Sequence, residues 1–156
     1  MDIGTVATSC IPYLVQIWTP LAETNGVEIA DGGFGSDLPN RYLAVGYNDQ
    51  PTVPIITGSQ SMSQVGNNWS EDQISIQCQM SWTYGDSDFA TLRNGLATFL
   101  GQLYQALRDD RQLGGNVPPP GFAWPGTYTF RQGFTSEGAD ITVDFEVAIL
   151  VRAWEG

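Results

Sequence analysis

Two close carboxylate pairs, Asp86 with Asp88 and Asp109 with Asp110, are where chemistry would first be sought in this chain. A glycosidase needs two carboxyl groups facing one another across a cleft, one as acid and one as base or nucleophile. Asp109 and Asp110 are sequence neighbours at a helix end, and their side chains diverge. Asp86 and Asp88 stand where a helix begins and meet the positive end of its dipole. Capping and solvation account for all four. Asp31, Asp37 and Asp49 lack the ligand spacing of a calcium loop. The chain has no His, the commonest general base and metal ligand. It has no Lys, which removes Schiff-base chemistry, the P-loop lysine and Ser–Lys dyads. No serine or cysteine therefore has an evident base. Gly33-Phe34-Gly35 is a fragment of a dinucleotide loop without its third glycine or its helix. The expectation is no enzyme, no cofactor and no metal.

Aromatic side chains offer another kind of chemistry. Trp69, Trp124 and Trp154 fall in expected loops or near element ends, where exposed rings would stack on sugars or anchor a protein interface. Trp18 and Trp82 lie within apolar periodicities and are expected in the core. Cys10 and Cys78 are expected to be buried small hydrophobes, because each sits on the apolar side of its element.

The elements that must position these residues belong to one domain spanning residues 1–156. Apolar residues make up 42% of it, enough for a proper core. Seventeen acidic residues oppose six basic ones, all Arg, for a net charge of −11. Such a surface repels phosphate and does not wrap nucleic acid. No basic segment precedes the first apolar stretch, so no secretory signal is expected. No apolar run reaches the ~20 residues of a membrane span. Without a signal, the sequon at Asn68-Trp69-Ser70 carries no weight.

Residues 5–23 read as a helix from the recurrence of Val6, Cys10, Tyr13, Ile17 and Leu21, widened by Leu14 and Trp18. Pro12 and Pro20 should bend it or split it in two. Val27–Ala30 and Arg41–Tyr47 read as short strands. Residues 52–70, rich in Ser, Gln, Asn and Gly, read as an irregular strand or a long arm. Unbroken alternation from Ile74 to Trp82 signals a strand with one wet face. Phe89, Leu92, Leu96, Phe99, Leu100, Leu103 and Leu107 then define a long amphipathic helix capped by Ser87 or Asp88. Its Gly95 and Gly101 suggest close approach of another backbone. Phe122–Phe134 reads as a strand broken at Pro125-Gly126. A second alternating strand runs from Ile141 to Val151. The fold expected is α+β: a mainly antiparallel mixed sheet with an N-terminal helix and one long amphipathic helix packed on one face.

This order resembles the tail terminator family of long non-contractile-tailed phages, in particular its actinobacteriophage members. The resemblance rests on an N-terminal apolar helix leading into Gly26-Val27-Glu28-Ile29-Ala30-Asp31-Gly32, and on Arg41-Tyr42-Leu43-Ala44-Val45-Gly46. It continues with the strand from Glu71 to Trp82, the helix end Leu107-Arg108-Asp109-Asp110-Arg111-Gln112-Leu113-Gly114-Gly115, and the last strand down to Val151-Arg152-Ala153. Where the family often has Gly-Pro-Pro after its Asp-Gly, this chain has Gly33-Phe34-Gly35.

The resemblance implies a virion protein at the head–tail junction, assembled in the host cytoplasm. It would form a homo-oligomeric ring, a hexamer, that caps the tail tube protein and docks on the head–tail connector protein. Double-stranded DNA would transit without specific binding, and no membrane is involved. Asp144 and Glu146, on the polar side of the last strand, are candidate lumen residues. Trp69, Arg111, Phe122 and Trp124, in the segments 48–70 and 112–126, are candidate subunit or partner contacts. A head-completion or minor tail protein would share this layout. A carbohydrate-binding module would instead be a monomer with aligned exposed aromatics.

Overall fold

The structure, a computed structural model, describes residues 3–35, 38–62, 69–84, 88–135 and 138–154. Asp37, Asp86, Ser87 and the sequon's Asn68 lie outside the described residues, as do the side chains of Trp69 and Trp154. Helix α1 (Ile3–Thr24) leads into β1 (Glu28–Asp31) and β2 (Arg41–Val45). Strands β3 (Ile56–Met62) and β4 (Trp69–Tyr84) follow, then helix α2 (Phe89–Asp109). A 3-10 turn (Leu113–Gly115) precedes β5 (Phe122–Thr135) and β6 (Gly138–Trp154). The strands form one six-stranded sheet in the order β1-β2-β4-β6-β5, and β3 pairs with the other half of the β4 edge that β2 uses. Only β1 and β2 run parallel among the described pairings. The expected α+β class and its mostly antiparallel sheet are what the chain adopts.

Alternation in β4 and β6 sorts side chains between two faces. On the inner face Ile74, Ile76, Cys78, Met80 and Trp82 meet Ile141, Val143, Phe145, Val147 and Ile149, all buried. Both helices cover this face. Trp18 of α1 and Tyr104 of α2 each place a ring about 6 Å from Phe145, at 6.0 Å and 6.1 Å. Trp18 Nε1 donates to the Leu103 carbonyl at 3.1 Å, which locks the helices together without an orphaned indole N–H.

Helix α1 runs as a single element through both prolines rather than as two short helices. Pro12 and Pro20 are exposed, and so are Thr8 and Gln16, whose carbonyls the prolines cannot satisfy. Those carbonyls face water, while Cys10, Leu14, Trp18 and Ala22 hold the opposite side in the core. Helix α2 begins as its sequence indicated: Asp88 accepts from the Thr91 backbone N–H at 3.1 Å. At its far end Tyr13 donates a short hydrogen bond to Asp110, which also accepts from Gly114 N. That bond raises the Tyr13 hydroxyl above its usual range. Asp109 instead accepts from Gln105, so the two neighbouring carboxylates do diverge.

The two glycines of α2 differ. A Cβ on Gly95 would lie 2.7 Å from Cζ3 of Trp82, so the helix passes a side-chain ring rather than another backbone. Nothing lies within 4 Å of the corresponding point at Gly101. Trp82 is held from its other sides by Phe99 and by the Arg41 guanidinium, 4.3 Å from the ring centroid. Gly95→Ala should therefore destabilise the fold by about 1–2 kcal/mol despite the better helix former. Gly101→Ala should stabilise it by about 0.5–1 kcal/mol. Urea denaturation of both variants checks these opposite signs.

Cys10 and Cys78 are free and fully buried. Burial pushes the Cys10 thiol up to about 11 and the Cys78 thiol up to about 12. At pH 8 neither should react with a thiol-exchange reagent in the native protein. Both should react at once in denaturant, as the absorbance of the released chromophore will show.

Candidate functional site

No described helix lies over the outer face of the sheet, and the polar side chains there are organised. Asp144 is the hub. Arg131 reaches it from the paired strand β5, with Nε at 2.8 Å from Oδ2 and Nη2 at 3.3 Å from Oδ1. Gln79 Nε2, from β4 on the other side, donates to Asp144 Oδ1 at 2.8 Å and to Asp49 Oδ1 at 2.9 Å. Arg131 Nη2 also bonds Asp49, at 3.2 Å, and Asn48 Nδ2 donates to Asp144 at 3.4 Å. The turn after β2 is thereby tied down onto the face. Tyr42 completes the cluster by donating to Gln79 Oε1 at 3.1 Å. Burial above all pushes the Tyr42 hydroxyl up to about 12. The hydrogen bonds that Arg131 donates to Asp144 raise its guanidinium, which stays charged at every accessible pH.

Glu146 lies one step along the same face. It accepts from Gln77 Nε2 at 3.2 Å and from the Thr127 backbone N–H at 3.4 Å. The latter bond fills a β-bulge, since the pairing of β5 with β6 shifts between Pro125 and Tyr128. Both expected lumen residues thus stand on the polar face. Asp144 has a side chain only 16% exposed and its charge is met by Arg131. Glu71 pairs with Arg152 farther along, at 3.1 Å. Asp140 belongs to this face by register. Carboxylates therefore outnumber guanidinium groups there: Asp49, Glu71, Asp140, Asp144 and Glu146 against Arg131 and Arg152.

The expected contact residues divide. Phe122 and Trp124 lie within β5, the strand expected over Phe122–Phe134, because strand pairing with Leu150 and Ala148 continues right up to Pro125. Their ring centroids lie 5.2 Å apart on the outer face, tilted by 47° to each other, both rings partly buried. Arg111 is exposed just beyond α2, and its carbonyl accepts from Ala123 N at 2.7 Å, which brings it beside that pair. Trp69 opens β4 opposite Trp154. Of the segment 48–70, residues 56–62 form β3, and 63–68 lie outside the described residues.

Sequence reasoning missed the opposite side of β5. Tyr128 and Phe134 point to the helix side yet remain 56% and 72% exposed. Phe134 meets Phe89 edge-on at 5.1 Å. A groove of about 350 Å³ runs between α2 and β5, lined by Leu100, Tyr104, Arg108, Tyr128 and Phe130. Period-2 reading from Tyr128 to Phe134 would have put these rings on one side of a strand, but α2 is too narrow to cover them.

Among the described residues, no group of three or more Cys, Asp and Glu is placed to hold a metal ion. No described helix is long and apolar enough to cross a membrane. The chain matches no protein-family model, and no curated protein matches it significantly.

Arg131→Ala should cost about 1–2 kcal/mol, because Asp144 loses its charged partner in a half-buried site. Asp144→Asn should cost less in that background than alone, a coupling of about 1 kcal/mol. A double-mutant cycle by urea denaturation measures it.

Proposed function

We propose that this chain is a structural subunit of a phage virion, a tail terminator that closes into a ring with its open sheet face turned to the lumen. The observation that carries the reading is the coverage of the sheet on one side only. Both helices occupy the inner face, and the outer face keeps an excess of carboxylates held in place by hydrogen bonds. A surface past which DNA slides must not grip phosphate. Fixed carboxylates repel a duplex that bears one charge per ~1.7 Å. The Debye length of about 8 Å keeps this repulsion local. In six copies, each with a net charge of −11, the effect repeats around the whole lumen.

Within this reading, Phe122, Trp124 and Arg111 form a compact aromatic and cationic corner suited to a protein partner, the tail tube protein or the head–tail connector protein. Trp69 is the fourth residue assigned to these contacts. The virion at its head–tail junction is the proposed location. A second reading, a carbohydrate-binding module, draws on the same Phe122–Trp124 pair beside Gln77 and Glu146. It requires a monomer that binds glycans.

Light scattering and negative-stain electron microscopy of the purified chain, alone and with tail tubes, should show an annulus that caps tube ends. Alanine at Trp69, Arg111, Phe122 or Trp124 should leave the fold intact and weaken ring or tube binding by about tenfold. A protein that stays monomeric with and without tubes, or full activity in all four variants, would sink the assignment.

A further inference from the structure

Three strands pair on one side only among the described pairings: β3, beside β4, and the two strands at the ends of the sheet, β1 and β5. β5 pairs with β6 alone and β1 with β2 alone among the described pairings. On β5, Ala123 N–H is taken by the Arg111 carbonyl at 2.7 Å and the Gly126 carbonyl accepts from Tyr104 at 3.3 Å; a strand edge with no pairing strand is otherwise a template for another strand. These edges match each other. From β1 through β2, β4 and β6 to β5 the strand directions reverse three times, so β1 and β5 run opposite ways. Set side by side with both sheets facing the same way, they would pair antiparallel, as most of this sheet already does.

Their side chains match as well. On the β5 edge the helix side carries Tyr128 and Phe130, with Arg108 at the mouth of the same groove. Arg93, exposed farther along α2, bonds Gln132. On the β1 edge, register with Leu43 and Val45 puts Ile29 and Asp31 on the helix side. Asp31 is exposed there, and Glu28 on the other face of β1 and Glu23 near the end of α1 are exposed as well. Neither Arg108 nor Asp31 stands in an ion pair among the described residues. One edge is thus aromatic and cationic, the other aliphatic and anionic.

Building on the ring reading, we propose that β5 of one copy pairs antiparallel with β1 of the next, joining the sheets into one continuous inner wall. Ile29 of the neighbouring copy sits against Phe130, and its Asp31 against Tyr128 and Arg108. This is a heterologous contact, different surfaces on the two copies, as a closed ring requires. Five strands at about 4.8 Å make each copy about 24 Å wide. Six such copies enclose a circle about 46 Å across between backbones, wide enough for a duplex after side chains are counted. The helices then lie outside, and the acidic face lies inside.

Charge reversal tests the contact on the full chain, by light scattering alone and with tail tubes. Arg108→Glu and Asp31→Arg should each raise the concentration for half-assembly about a hundredfold, since like charges would meet. Circular dichroism should show both folded. The double variant should recover assembly, and Tyr128→Glu should lose it. Wild-type rings that persist in the single variants, or a double variant that stays dissociated, overturn the edge contact and leave the ring reading standing. A wild-type chain that never assembles overturns both.

Discussion

The long antiparallel ladder between β4 and β6 is the constraint on which the remaining structure depends. It runs in unbroken register from Trp69–Trp154 to Tyr84–Ala139. A slip of one residue would exchange the faces, driving Gln77, Gln79, Asp144 and Glu146 under the helices and exposing Ile76, Cys78, Phe145 and Val147. That penalty fixes the register. With it fixed, Phe145 becomes the point where α1 and α2 converge, and the position of each helix follows from rings that must reach it.

The same ladder explains how an acidic chain keeps an ordered polar face. Carboxylates on neighbouring strands repel unless donors are interleaved. Here Gln77 and Gln79 stand on β4 beside Glu146 and Asp144 on β6, and Arg131 on β5 closes the row. Arginine suits this place better than lysine would. Its planar fork engages both oxygens of Asp144 while still reaching Asp49. The face is acidic in total, and its members are positioned rather than free.

Much of this was legible in the residues. The alternation of Ile74–Trp82 and Ile141–Val151 and the three-and-four spacing from Phe89 to Leu107 reported strong one-sided burial, and those elements appear where that spacing puts them. Less was legible where side chains carry little contrast. β3 is built largely from Ser, Gln, Thr and Gly, and it forms a strand because β4 offers a partner, not because its own pattern demands it. Pro12 and Pro20 do not split α1 in two because Leu14 and Trp18 hold both halves in the core. The break that Pro125-Gly126 signals in β5 is absorbed as a bulge, because pairing with β6 resumes at Tyr128. The Arg131–Asp144 pair depends on the register between β5 and β6, which no single stretch of sequence encodes.

The buried thiols have a practical corollary. Cys10 lies on the buried side of α1 and Cys78 within the central strand, both shut away from water. The natural chain therefore behaves toward surface reagents as though it had no cysteine at all. With no lysine either, a single engineered surface thiol would be a unique handle for a dye, a spin label or a gold cluster. Distances between labelled copies could be read in an assembly without first rebuilding the core.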